Sequence, residues 1–198
     1  MRHAIALAVL FALAACRSAQ PLACDANVAP HAPRNFGEVT KNLYRGGQPT
    51  TCAELAYLHD LGIRSIVKLN DANSPLDASE KTEAQRMGFE VVSRPFDART
   101  IGRSDTCDDV ADVLAFLIAS ESPVFVHCTA GKDRTGYIVG LYEKLVLKKS
   151  VAAVMEELHR FGHRGARSAT MPQIDRELRK EVPECSRRLQ AARPTAGR

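Results

Sequence analysis

From Asn35 onward the chain alternates short apolar runs with segments whose apolar residues recur at helical spacing. Thr51 and Glu54 have the spacing of a capping box, and Leu55, Leu58 and Leu61 follow three apart, which predicts a helix. Ser65-Ile66-Val67-Lys68-Leu69 reads as a strand and Asn70–Ser74 as a loop. Ser74-Pro75 then opens a helix that runs to about Met87 and stops at Gly88. Phe89–Ser93 is a second strand, ending at Pro95. Between about Thr106 and Ser120, the residues Val110, Val113, Leu114, Leu117 and Ile118 form one helical stripe. Pro123-Val124-Phe125-Val126-His127 is a short continuous apolar strand, the pattern of a strand covered on both faces. Tyr137–Leu147 is apolar on almost every side and predicts a buried helix, and Ser150 caps an amphipathic helix through Val151, Val154, Met155 and Leu158. Such alternation predicts a single α/β domain, with a mostly parallel four- to five-stranded sheet flanked by helices.

Composition narrows the function classes. The chain has 198 residues, 45% hydrophobic and 25% charged, an ordinary balance for one well-buried domain. Its net charge of +4 is accounted for by the tail Ser186–Arg198, which carries Arg187, Arg188, Arg193 and Arg198 and no acid. The body is therefore near neutral. With no Trp and 6% aromatics, neither a duplex-binding face nor a base-stacking platform is expected, so no nucleic-acid partner is expected. Residues 183–198 read as a basic, poorly ordered tail.

The start of the chain reads as an address. Arg2 and His3 precede the apolar run Ala4–Ala15, which is too short to span a bilayer as a helix but suits a signal-peptide core, 1–15. It closes as Leu13-Ala14-Ala15-Cys16, similar to a bacterial lipobox, whose Cys16 would be lipidated and would anchor the chain to a membrane. A plain secretory signal cut between Ala15 and Ala23 is the alternative. Either implies export, to a bacterial periplasm and, with a lipidated Cys16, to the outer membrane. Residues 16–35 are Pro- and Ala-rich without period and read as a tether; 36–182 form the domain. In an oxidising compartment Cys24, Cys52, Cys107 and Cys185 could pair, and three pairings remain open.

Between the apolar strand and the buried helix lies His127-Cys128-Thr129-Ala130-Gly131-Lys132-Asp133-Arg134-Thr135-Gly136. A loop curling from a strand's carboxyl end into a helix N-terminus presents backbone N–H groups and a positive dipole to an anion. Gly131 and Gly136 allow the tight curl, and Arg134 can grip two phosphate oxygens with its planar fork. A thiol at the start of that loop feels the same field, which favours the thiolate. C-x5-R alone should arise by chance in roughly one chain in seven of this length. The preceding His, the central Gly and the following Thr-Gly reduce that to about a few per million.

These residues resemble the signature loop of the protein tyrosine phosphatase superfamily, in its dual-specificity branch. Leu43-Tyr44-Arg45-Gly46-Gly47-Gln48-Pro49 and Leu61-Gly62-Ile63-Arg64-Ser65-Ile66-Val67 resemble further segments of that branch, and the similarity is greatest to small bacterial and fungal members. The resemblance implies phosphomonoester hydrolysis with no metal or other cofactor. Cys128 would be the nucleophile that forms a phosphocysteine. Arg134 and the amides of Thr129, Ala130, Gly131, Lys132, Asp133 and Arg134 would bind the phosphate. Thr135 would donate a hydrogen bond to the sulfur, and His127 would support the loop and tune the thiol. The general acid would be an Asp about thirty residues before the Cys. Asp97 fits; Asp105 is the rival, at the start of a predicted helix that it could instead cap. Arg45 would brace the loop from behind or lie at the surface. Lys132 would meet a second phosphate or only solvent, and the acidic Asp133 beside it weakens the case for a strongly cationic pocket. The substrate would be a phosphorylated protein, or a phosphorylated lipid or small molecule such as a phosphoinositide or inositol phosphate. A phosphate-binding module without turnover is the third reading, which Asp97 disfavours.

Two other signals fall away. Gly131-Lys132 lacks the earlier Gly and the following Ser or Thr of a nucleotide-binding P-loop. His159 and His163 are spaced to chelate a metal on a helix, but Gly162 between them ends it.

Overall fold

The computed structural model describes residues 21–70, 73–164 and 171–192. The signal-peptide and lipobox segment, including Cys16, lies outside the described residues. A five-stranded sheet is built from β1 (Gly37–Thr40), β2 (Leu43–Gly47), β3 (Ser65–Lys68), β4 (Glu90–Ser93) and β5 (Val124–Cys128). Its order is β1-β2-β5-β3-β4, with β1 antiparallel to β2 and the other pairs parallel. The two strands at the chain's start extend the sheet that the apolar pattern predicts.

The helices are α1 (Cys52–Asp60), α2 (Pro75–Arg86), α3 (Ser104–Ala119), α4 (Asp133–Leu145), α5 (Val151–Arg160), α6 (Pro172–Arg179) and α7 (Glu184–Ala192). Their boundaries follow local chemistry. The Thr51 hydroxyl accepts from the Glu54 N–H at 3.2 Å while the Glu54 carboxylate accepts from the Thr51 N–H, the reciprocal pair that satisfies two free donors at the start of α1. Ser74 caps α2 with Pro75 in its first turn, and Gly88 takes φ +89 just past its end. The helix predicted to begin at Tyr137 begins at Asp133, so the second half of the signature loop is already the first turn of α4.

The sheet separates two cores. Ile66, Phe125, Leu55, Leu58, Ile63, Ala84 and Phe89 pack with α1 and α2 on one face. Val67, Val124 and Val126 pack on the other with Val110, Leu114, Ile138, Leu141, Val154, Leu158, Ile174 and Leu178 of α3 to α6. Alternation along β5 places the Cys128 side chain in the second core and sends His127 to the α2 face.

Both ends of the domain differ from the sequence reading. Residues 183–198 are not a poorly ordered tail throughout. Residues 184–192 form α7, where Cys185 is disulfide-bonded to Cys107 of α3 and Leu189 is buried. Two of the tail's arginines have acidic partners, Arg187 with Glu184 at 3.0 Å and Arg188 with Asp108 at 3.6 Å. Nor is the described part of the expected tether, residues 21–35, simply a tether. Leu22 is buried, the N–H of Cys52 donates to the Ala23 carbonyl at 2.9 Å, and Cys24 is disulfide-bonded to Cys52. These two bonds choose one of the three pairings.

Cys107–Cys185 closes the longer loop, with a sequence separation of 78. In the chain-entropy model such a link stabilises the fold by about 4 kcal/mol. Replacing both cysteines by alanine is therefore expected to lower the melting temperature by roughly 10 °C, read by calorimetry. An unchanged melting temperature would show that α7 docks by packing alone.

Candidate active site

Cys128 ends β5 at the carboxyl edge of the sheet and is buried; among the described cysteines it alone is free. The loop after it is held from outside by its carbonyls. The Arg34 guanidinium and the Gln48 N–H both donate to Thr129 O, the latter at 3.3 Å. Asn35 Nδ2 donates to Ala130 O at 2.8 Å, and Arg45 Nη2 to Gly131 O at 3.0 Å. In a trans peptide plane the C=O and the next N–H point oppositely. Pinning three successive carbonyls outward therefore turns the N–H groups of Ala130, Gly131 and Lys132 inward, towards the space beyond the thiol. Gly131 is required here. Its φ is +72, and a Cβ would lie 2.4 Å from the Gly46 carbonyl carbon.

Arg45 is the brace, not a surface residue. It is fully buried, its guanidinium carbon lies 3.9 Å from the Phe161 ring centroid, and Nη1 lies 3.8 Å from Glu157. Burial lowers its pKa to about 10, with Glu157, Glu143 and Cys128 opposing, so it stays charged at neutral pH. Arg45→Met is expected to weaken phosphate binding roughly tenfold or more, because Gly131 O would lose a buried, charged donor. A competitive inhibition assay with phosphate reads this; unchanged inhibition would make Arg45 a packing residue.

Arg134 spans the loop, donating from Nη1 to Leu69 O at 2.9 Å and from Nη2 to Thr129 Oγ1 at 3.4 Å. The Thr135 hydroxyl differs from expectation: it donates to Gly46 O at 3.5 Å rather than to the sulfur.

Asp97 and Arg134 line the same open pocket of about 230 Å³, with Phe96, Ala98, Arg99 and Met171. Asp105 is placed elsewhere, in the first turn of α3, where its carboxylate accepts from the Thr106 N–H at 2.9 Å. The Asp97 carboxylate begins a 3₁₀ turn and accepts from Arg99 at 2.7 to 3.0 Å through both guanidinium and backbone N–H. Those bonds, with Arg134 adding to them, hold its pKa below the usual carboxylate value.

Behind β5, His127 Nε2 lies 2.9 Å from Glu80 Oε1, both side chains fully buried. Lys68 pairs with the same Glu80 and with Asp77 at 3.3 Å. Gln48 donates to Asp77 and Glu80 at 2.8 Å each, and Asn70 donates to Asp77 at 2.5 Å. Burial alone would raise the Glu80 pKa, but His127 and Lys68 outweigh it and the pKa is lowered. This network sits beside two grips on the loop, the Gln48 N–H on Thr129 and the Leu69 carbonyl on Arg134. Sequence reasoning missed Glu80, Asp77, Gln48 and Asn70; its one available signal was a charged Lys68 inside an apolar strand.

Asp133 does not stand free at the pocket. Its carboxylate lies 2.6 Å from Nδ1 of the buried His163, whose Nε2 lies 2.8 Å from Asp175. His159 and His163 are therefore not a metal pair: both ring nitrogens of His163 already face carboxylates.

A model of the tyrosine phosphatase family matches residues 31–184. The candidate tyrosine-protein phosphatase OCA1 of Mycosarcoma maydis is 30% identical over 135 residues, covering 65% of this chain and 80% of that one. The inositol diphosphatase DSP4 of Arabidopsis thaliana is 28% identical over 141 residues, 68% and 67% of the two chains. Among solved structures, TpbA of P. aeruginosa superposes with a TM-score of 0.63 at 24% identity, covering 82% of this chain and 96% of TpbA. The core of the PP-IP phosphatase SIW14 of S. cerevisiae gives 0.66 at 20% identity, covering 83% and 94%.

Proposed function

Since the chain belongs to the tyrosine phosphatase family and is thus a phosphoric monoester hydrolase, we propose that it dephosphorylates protein substrates through a phosphocysteine on Cys128. The observation that carries this reading is the loop whose carbonyls are pinned outward around a buried free thiol, with Arg134 laid across it. Inward amides and the guanidinium stabilise the equatorial oxygens as charge shifts in the transition state. The thiolate attacks phosphorus in line while Asp97 protonates the leaving oxygen. Asp97 then takes a proton from water as that water displaces the sulfur, and orthophosphate leaves. TpbA has been crystallised with phosphotyrosine, which supports the protein-directed reading.

A second substrate class is favoured by one observation. Asp133, whose charge would oppose a polyanion, is engaged by His163, while Arg99 and Arg134 both line the pocket. That setting suits an inositol phosphate, the class on which DSP4 and SIW14 are named as acting. Export through the Ala4–Ala15 run, with Cys16 as the lipid-bearing residue, belongs to the same proposal. It is supported by two disulfides, which persist in oxidising compartments.

The test is phosphate release, without added metal, from a phosphotyrosine peptide, a phosphothreonine peptide and an inositol diphosphate, with Cys128→Ser as the blank. Preference for either peptide supports the first reading and preference for the inositol diphosphate the second. Release from none would leave the loop as a binding device.

A further inference from the structure

A neutral imidazole carries one N–H and one lone pair, whereas His163 faces a carboxylate oxygen from each ring nitrogen, at 2.6 and 2.8 Å. Only the doubly protonated ring can donate to both, and the ring is almost fully buried, so water cannot supply the second partner. Asp133 is the first residue of α4 and lies inside the phosphate loop; Asp175 belongs to α6. The neighbouring loop residue leans on the same place. Gly162 has φ +85, and its missing side chain leaves room for Lys132, whose Cε would lie 3.1 Å from a Cβ there. Two consecutive loop residues thus rest on two consecutive residues just past α5.

We propose that His163 is a positioning residue of the phosphate loop, acting as an imidazolium that bridges Asp133 to Asp175 and neutralises the one carboxylate the loop carries. This rests on the reading of the loop as a phosphate site. An acid at that position would otherwise sit beside the incoming dianion and repel it. Engaged by His163, it keeps its favourable place at a helix N-terminus without that penalty. Asp175 supplies the second anion, so that one proton on a buried ring ties α6 to the loop. The charged groups set against the ring are Asp133 and Asp175, with Lys132 alongside Gly162 and Arg164 next in the chain. Burial favours the neutral ring, but the two carboxylates outweigh it and raise the His163 pKa. The bridge is therefore in place below that raised value and is lost as pH rises through it.

Sulfate is the probe, because it stays dianionic across neutral and alkaline pH, and Cys128→Ser is the background, because its nucleophile does not titrate there. Calorimetry is expected to show sulfate affinity falling as His163 deprotonates. His163→Gln should weaken sulfate binding roughly tenfold at neutral pH and flatten that profile. Adding Asp133→Asn should restore most of the loss, because the repelling carboxylate is then gone, whereas damage to packing would not be relieved. Unchanged affinity in His163→Gln, or a loss that Asp133→Asn leaves standing, overturns the proposal. Independently, the nitrogen shifts of His163 in the wild-type protein should show two protonated nitrogens at neutral pH; a single N–H overturns it too. Failure of the parent to bind sulfate would instead sink the phosphate-loop reading, and the nitrogen shifts would still decide the bridge.

Discussion

Cys128→Ser is expected to remove turnover, by roughly four orders of magnitude or more, while phosphate binding survives. The two halves of that result have separate causes. A serine hydroxyl at neutral pH holds its proton far more tightly than a thiol, and among the described residues no side chain is hydrogen-bonded to Cys128 as a base that could take it. The variant therefore lacks the nucleophile and cannot form the covalent intermediate. Binding depends on other atoms. The inward amides are held by Arg34, Asn35, Arg45 and Gln48 acting on carbonyls, and Arg134 is held by Leu69. None of these involves the sulfur. Single-turnover assays should then show no burst of leaving group, and calorimetry should show phosphate affinity equal to or above that of the parent. Turnover in Cys128→Ser would refute the covalent mechanism. Loss of binding as well would mean that the sulfur also shapes the loop.

How much of this was legible in the chain follows from how local each interaction is. Cys128, Gly131 and Arg134 lie in one contiguous loop, so their spacing alone carried the chemistry. The capping residues Thr51, Ser74 and Ser150 act within three residues of themselves, and each starts the helix predicted from it. Arg34 and Asn35 were hidden in a stretch with no periodicity. That stretch is held by contacts with distant elements, the bond between Cys24 and Cys52 and the Gly47 N–H on the Arg34 carbonyl, and spacing could not separate the three pairings. The tail differs for a related reason: Arg187 and Arg188 are exposed, as the run of arginines suggests, yet Cys185 and Leu189 on either side of them anchor a helix. The spacing of His159 and His163 suits a metal pair, and the helix that would carry it ends before Gly162, as the glycine predicts. The true partners of His163, Asp133 and Asp175, come from two other helices and no sequence period connects them.

Asp97 carries the second large effect. Its replacement by Ala is expected to lower kcat by roughly two to four orders of magnitude for a phosphotyrosine substrate, the usual worth of a positioned acid. The loss should shrink for an aryl phosphate whose leaving group departs readily without a proton. It should also remove the alkaline limb of the pH–rate profile, which the proposed mechanism assigns to loss of the proton from Asp97. Arg99 sets where that limb lies. Its hydrogen bonds depress the Asp97 pKa, so the acid-competent form is populated only at the lower end of the pH range. Arg99→Ala should let that pKa rise and move the alkaline limb to higher pH, with little change in KM for a monophosphate. The pair also implies a sequence of events. In the proposed mechanism Arg99, which grips both carboxylate oxygens, releases Asp97 before Asp97 protonates the leaving oxygen. A substrate with a second anionic group is suited to draw Arg99 away, and for such a substrate Arg99→Ala should raise KM instead. Rates in Asp97→Ala that match the parent on phosphotyrosine would transfer the acid to Asp105, and Asp105→Ala is the control that tells these outcomes apart.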